Sequence, residues 1–219
     1  DVKYSFSNSN LNGRASLTPK ENSGSSKVNF SGIVLNGGTS SRMGESKAEV
    51  NFLGRPLIDR GINALQRAGA TEVIIVGGKP PHLNENAFIF VEDLYPGEGP
   101  LGGLITGLLT AETENAFVIS NDLMDIDEEV FKKILKYVEM ADLVVPVAAG
   151  IPQVLSALWR VSAVSHLQDA YNAGNRSVRS VLGGLDILEI FEFGENKFVN
   201  ANTSSDIIDY IAKLEKAIE

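Results

Sequence analysis

The amino-acid sequence predicts an α/β fold of three layers, a mostly parallel sheet lying between helices. Three observations predict it. Several short runs are apolar at consecutive positions, as strands buried on both faces are. Segments with helical spacing separate these runs. The runs end in glycine pairs or acidic residues, where strands of an open sheet pass into loops.

The elements follow in order. SGIVLN (31–36) reads as the first buried strand and runs into the loop GGTSS. Pro56 to Gly69 has Leu57, Ala64, Leu65 and Ala68 at helical spacing, with Pro at its start and Gly at its end. TEVIIVGG (71–78) and AFIFVED (87–93) are the next strands. Pro100 to Ala111 reads as a helix despite its glycines, and NAFVISND (115–122) as a strand ending in Asp122. Asp127 to Met140 is an amphipathic helix with Val130, Ile134, Leu135 and Val138 on one face. DLVVPVA (142–148), QVLSALWR (153–160) and LDILEIF (185–191) read as strands. A helix ends near Ala173, and another runs from Ser204 to Ile218. Residues 1–30 are rich in Ser and Asn, lack periodicity, and read as a flexible tail without the features of a secretory signal. Residues 31–219 read as one domain, a length that one core can support.

Composition narrows the chemistry. There is no cysteine, which removes disulfides, thiolate metal sites and a cysteine nucleophile. The two histidines, His82 and His166, are far apart and read as ordinary surface or partly packed residues. A net charge of −9 argues against binding a nucleic-acid backbone, and no apolar run is long enough to span a membrane. An anionic small substrate would have to be met by local cations, backbone amides or a metal.

Ligands of open parallel sheets bind at the carboxyl ends of the strands. Here those ends carry Gly37-Gly38, Gly77-Gly78, Glu92-Asp93 and Asn121-Asp122. The loop LNGGTSSRMGESK (35–47) suits a triphosphate. Its glycines allow close approach of backbone amides, Thr39, Ser40 and Ser41 add hydroxyls, and Arg42 and Lys47 add positive charge. It is not a Walker loop, because Gly44 is followed by Glu45 rather than Lys. Asp122, at a strand tip facing such a loop, suits a Mg²⁺ ligand, whereas Asp125 and Asp127 are better placed as helix caps. Glu92-Asp93 reads equally as a ribose or base acceptor and as a solvated strand end. Gly97, Gly99 and Gly102 form a literal G-x-G-x-x-G, the signature of a dinucleotide fold. Leu94-Tyr95-Pro96 separate it from its strand, which speaks against that use.

These residues resemble a family. LNGGTSSRMGESK is similar to the L-A-G-G-x-x-x-R-M-G-x-x-K signature of the molybdenum cofactor guanylyltransferases, the MobA-like nucleotidyltransferases. The likeness continues through GRPLIDRGINAL, VEDLYPGEGPLGGL, VISNDLMDID, PQVLSALWR, NRSVRSVL and VNANTSSD, covering residues 31 to about 210. It implies a Rossmann-like single domain of the nucleotide-diphospho-sugar transferase type, transferring GMP from GTP to the phosphate of molybdopterin. Carried over by position, Leu35, Asn36, Gly37, Gly38, Gly78, Asp93 and the Gly99-Pro100-Leu101 turn would meet the nucleotide. Arg42 and Lys47 would hold the triphosphate, Asp122 would bind Mg²⁺, and Arg176, Asn200 and Asn202 would face the acceptor. The resemblance also implies a cytoplasmic enzyme in transient contact with proteins that make or receive the cofactor. Three departures stand out: Asn36 for the usual Ala, Asn121 where Cys is frequent, and Leu123-Met124 in place of a residue plus Pro. Because cytidylyltransferases share the first loop, a different base or acceptor is the main alternative. An NAD-linked oxidoreductase and a non-catalytic nucleotide sensor are the others.

Overall fold

The computed structural model describes residues 3–4, 28–37, 51–52, 55–81, 88–194, 197–201 and 203–216. Its strands are β1 (Lys3–Tyr4), β2 (Ser31–Leu35), β3 (Asn51–Phe52), β4 (Arg55–Pro56), β5 (Glu72–Val76), β6 (Ile89–Val91), β7 (Asn115–Ser120), β8 (Leu143–Ala148), β9 (Ile151–Pro152), β10 (Ala157–Arg160) and β11 (Ile187–Ile190). The helices are α1 (Leu57–Ala68), α2 (Pro100–Thr110), α3 (Glu128–Leu135), α4 (Val164–Asn172) and α5 (Ser204–Lys216).

The main sheet runs in the order β1-β11-β8-β10-β7-β2-β5-β6, with β9 added to β8. The β2–β5, β2–β7, β5–β6 and β8–β11 pairs are parallel. β10 is inserted antiparallel to both β7 and β8, and β1 is antiparallel to β11. The expectation of a mostly parallel central sheet therefore holds, with β1, β9 and β10 antiparallel to their neighbours. β3 and β4 form a separate small hairpin that the apolar pattern did not announce.

Both sheet faces are covered, which explains the consecutive apolar runs. Val34, Val73 and Ile75 face a cluster with Ile58, Ile62 and Leu65 of α1 and Val130, Phe131 and Ile134 of α3. Their neighbours Ile33, Leu35, Ile74 and Val76 face Leu101, Leu104, Ile105 and Leu108 of α2, in a cluster that also holds Trp159 and Leu167. A third cluster, including Leu57, Met124, Ala201 and Ile207, ties α5 and the 199–201 segment to the rest.

The glycines of α2 are there because the helix lies flat on the sheet. A Cβ at Gly107 would stand 2.5 Å from Ile33 Cγ2, and one at Gly102 2.6 Å from Tyr95 Cβ. Gly102 of the G-x-G-x-x-G thus has a packing role, and residues 92–99 separate β6 from α2. α3 ends at Leu135 rather than Met140. The chain continues through tight turns, with Tyr137 N donating to Ile134 O and Val138 N to Leu135 O, and these keep Tyr137 and Val138 buried.

Candidate active site

The chain passes from β2 outward to β5 and β6, then crosses back to β7 on the other side of β2. The strand order therefore reverses between β2 and β7, the kind of switch point at which open α/β sheets bind ligands at the carboxyl ends of their strands. The residues beyond those ends are Asn36-Gly37 and Asn121-Asp122, placed opposite each other by the Leu35–Ser120 register. Four of the segments expected at this edge do converge. A Cβ at Gly77 would lie 3.4 Å from Asp93 Cβ and 3.6 Å from Gly37 Cα. Asn121 Nδ2 donates to Asn36 Oδ1 at 2.8 Å.

Asn36 and Asp122 are nearly enclosed, at 5% and 8% exposure. Asn36 N extends the ladder by donating to Val76 O, while its side-chain Nδ2 donates to Gly77 O at 3.2 Å and to Lys79 O at 2.9 Å. Its side chain thus holds the Gly77–Lys79 turn. Gly77 and Gly78 both have left-handed φ, 72° and 67°. A Cβ at Gly78 would overlap Asn36 O and stand 2.8 Å from Nδ2. Gly78→Ala is accordingly expected to cost about 2 kcal/mol, from a left-handed alanine plus the displaced amide. Urea unfolding of the variant against the parent would measure this, and an unchanged midpoint would refute it.

Of the acidic strand end, Glu92 is exposed and Asp93 is half-buried and fixed. Asp93 Oδ1 accepts from Tyr95 N at 2.9 Å and lies 3.1 Å from the Thr106 hydroxyl, whose single proton is shared between Asp93 Oδ1 and Gly102 O. Leu94 N donates to the same hydroxyl oxygen. The other carboxylate oxygen, Oδ2, lies on the side of Gly103, where a Cβ would be 3.8 Å away. Thr106 is a supporting residue that the sequence did not point to. It sits within an apolar helix, and only its distance of thirteen residues from Asp93 in the chain hides the contact.

Asp122 is tied to the late part of the chain. Its carbonyl accepts from Ala201 N at 2.8 Å, Met124 N donates to Val199 O, and Leu123 and Asn200 form an antiparallel bridge. Asn200 thereby lies beside Asp122. Arg176 goes elsewhere. Its Nε donates to Glu98 Oε2 at 2.5 Å, its Nη1 donates to the carbonyls of Tyr171 and Asn175, and its guanidinium lies 4.0 Å above the Tyr171 ring. A Cβ at Gly99 would be 3.6 Å from Arg176 O, so this arginine straps the Gly97–Gly99 loop ahead of Pro100-Leu101. Of the remaining expected site residues, Gly38, Arg42, Lys47 and Asn202 lie outside the described residues, as does His82. His166 Nε2 is 2.9 Å from Val181 O.

A charged clasp fixes the segment between Asp122 and α3. Lys197 Nζ donates to Asp125 Oδ1 at 3.0 Å and to Asp127 Oδ2 at 2.9 Å, and Asp127 Oδ1 caps α3 by accepting from Val130 N. Burial works against both charges. The hydrogen bonds outweigh it, so Asp127 titrates below its usual 3.8 and Lys197 above its usual 10.5. Tyr210 is pushed up to about 12, first by burial and then by Asp125. The sign follows from linkage. Asp127 stabilises above pH 3.8 and loses this as pH falls through its lowered value. Lys197 stabilises below pH 10.5 and loses this as pH rises through its raised value. Lys197→Met is therefore expected to cost roughly 1 kcal/mol at pH 7, in line with a partly exposed pair, and less at an acid pH below 3.8. Urea midpoints of the two proteins at both pH values test this.

A switch point flanked by glycine turns and a strand-tip carboxylate is the arrangement of a nucleotide-binding α/β protein. Residues 32–188 match the MobA-like NTP transferase domain. The chain belongs to that family and is a nucleotidyltransferase. It is 30% identical over 198 residues to a protein of Peptoclostridium acidaminophilum named probable molybdenum cofactor guanylyltransferase, covering 84% of this chain and 89% of that one. Its fold is that of molybdopterin-guanine dinucleotide biosynthesis protein A from Archaeoglobus fulgidus, with a TM-score of 0.66, 22% identity, and 85% and 99% of the two chains covered. The fold is also shared with the 2-C-methyl-D-erythritol 4-phosphate cytidylyltransferase of Thermus thermophilus, at a TM-score of 0.66 and 14% identity over 84% and 98%. Among the described residues, no helix is long and apolar enough to cross a membrane.

Proposed function

We propose that this protein transfers GMP from GTP to the phosphate of molybdopterin or its molybdenum-loaded form, releasing pyrophosphate, and that it does so in the cytoplasm through residues 31–219. The observation that supports this is the β2/β7 switch point. There Leu35-Asn36-Gly37 lies beside Asn121-Asp122, and the Leu123–Asn200 bridge adds the segment assigned in this reading to the acceptor. Family membership supports the reaction class.

An oxygen of the acceptor phosphate attacks the α-phosphorus of GTP. A P–O bond forms there, and the bond to the oxygen leading to the β-phosphate breaks, with its electron pair leaving on pyrophosphate. The acceptor phosphate has a second pKa of about 6, so it arrives ionised and needs no general base. Catalysis is then alignment and charge stabilisation. Gly37, Gly38 and Gly78 let backbone approach the nucleotide, and Asp93, pinned on one oxygen, presents the other to the nucleoside. Gly99 and Pro100, at the start of α2 beside Arg176, close one wall, whereas Leu101 is buried in the core. Arg42 and Lys47 neutralise the triphosphate, and Asn200 with Asn202 receives the acceptor.

Asp122 suits Mg²⁺. It is a hard carboxylate just beyond a strand tip, at 8% exposure. Mg²⁺ needs only one or two carboxylates when phosphates and water complete its shell. When bound, it would offset the charge of the triphosphate. Pyrophosphate release, measured with Mg²⁺, molybdopterin and each of the four triphosphates, tests the reading. Release with GTP above all others is expected. Release with CTP alone would move the assignment to a cytidylyltransferase, and no release with any would overturn it.

A further inference from the structure

The two polar departures from the family signature, Asn36 and Asn121, are hydrogen-bonded to each other at 2.8 Å. Both are nearly enclosed, at 5% and 8% exposure. The Asn36 amide spends its two N–H groups on the carbonyls of Gly77 and Lys79 and its oxygen on Asn121. An alanine at position 36 could make none of these bonds. The turn they hold has two successive left-handed glycines, and Gly78 packs directly against the Asn36 backbone and amide. The same turn lies between Gly37 and Asp93. Its position thus sets the gap between the start of the phosphate loop and the carboxylate offered to the nucleoside.

We propose that Asn36, held by Asn121, is the positioning residue that sets base selection: its amide fixes the Gly77–Lys79 turn as a rigid wall of the nucleoside pocket. This rests on the nucleotidyltransferase reading above. A turn with left-handed glycines and no such brace would sample several positions, and a pocket wall that moves discriminates poorly between a purine and a pyrimidine. The bridge to Asn121 also couples the wall to the strand tip that carries Asp122, so base and metal ends of the nucleotide are positioned by one network.

The test compares the full chain with Asn36→Ala, Asn36→Asp and Asn121→Ala. Asn36→Asp keeps the shape but replaces both donors with acceptors facing two carbonyls. Binding of GTP, CTP, ATP and UTP is measured by displacement of a fluorescent GTP analogue without acceptor, well below each melting temperature, and amide exchange is followed at residues 77–79. Both Asn36 variants are expected to bind GTP roughly tenfold more weakly, the scale of a lost buried hydrogen bond, and to lose most of the preference between GTP and CTP. Exchange at Gly78 and Lys79 should rise while β5 stays protected. Asn121→Ala, which leaves the two carbonyl bonds intact, should show the same changes at smaller amplitude, and it reports even if the Asn36 variants do not fold. A lower melting temperature with an unchanged GTP/CTP ratio would overturn the inference and leave the enzyme reading standing. A parent chain that binds no triphosphate would overturn both.

Discussion

Asp122→Asn is expected to lower turnover about a thousandfold, roughly 4 kcal/mol of transition-state stabilisation. The amide matches the carboxylate in shape, so the backbone bonds from Asp122 O to Ala201 N and from Met124 N to Val199 O have no reason to change. What goes is the negative charge and the second hard oxygen at an 8% exposed site. A divalent cation held by Asp122 would lose its protein anchor, and electrostatic stabilisation is usually the largest single contribution to such catalysis. Steady-state pyrophosphate release at saturating Mg²⁺ measures the effect, with the melting temperature as a check on the fold. Activity within tenfold of the parent would remove Asp122 from the metal site.

Lys47→Ala is expected to cost at least about a hundredfold in kcat, the scale of one lost oxyanion donor. Charge sets the size of this loss. The protein carries −9 overall, and the strand ends beside the switch point carry Asp93 and Asp122. Arg176 is already committed to Glu98, and Lys197 to Asp125 and Asp127. Lys79 is exposed, on the turn held by Asn36. On the proposed reading the departing pyrophosphate is neutralised by Arg42 and Lys47, which follow Gly37 in the sequence. Lys47→Arg should recover part of the loss, since it keeps the charge and changes the reach. Near-normal turnover of Lys47→Ala would sink the role.

Much of this architecture was legible in the chain because burial on both faces leaves a distinct trace. Ile33-Val34-Leu35 and Ile74-Ile75-Val76 alternate between two cores, and only a sheet covered on both sides permits that. The tips at Gly37, Gly77, Asp93 and Asp122 were legible for the same reason, since strand ends follow once strands are found. Direction was not legible. Ala157–Arg160 is as apolar as its neighbours, and nothing in its composition says that it runs antiparallel between β7 and β8. Polar partners far apart in sequence were also hidden. Asn36 with Asn121, and Lys197 with Asp125 and Asp127, are pairs that only the assembled sheet brings within reach. The end of α3 was misplaced because the apolar spacing that marks a helix continues through tight turns that bury the same face.

The Leu123–Asn200 bridge has a consequence for synthesis. Asn36 leaves the ribosome 164 residues before Asn200, an interval of roughly ten to thirty seconds at ordinary elongation rates. In the later part of that interval, after β7 and Asp122 have emerged, a nascent chain has the partners that hold Asn36-Gly37, yet the Asn200 segment proposed to receive the second substrate is still missing. On the proposed reading a growing polypeptide could thus trap a triphosphate without being able to use it, and turnover would begin only when the 199–201 segment docks beside Asp122. Ribosome-bound chains stalled before residue 199 are expected to bind nucleotide and transfer nothing.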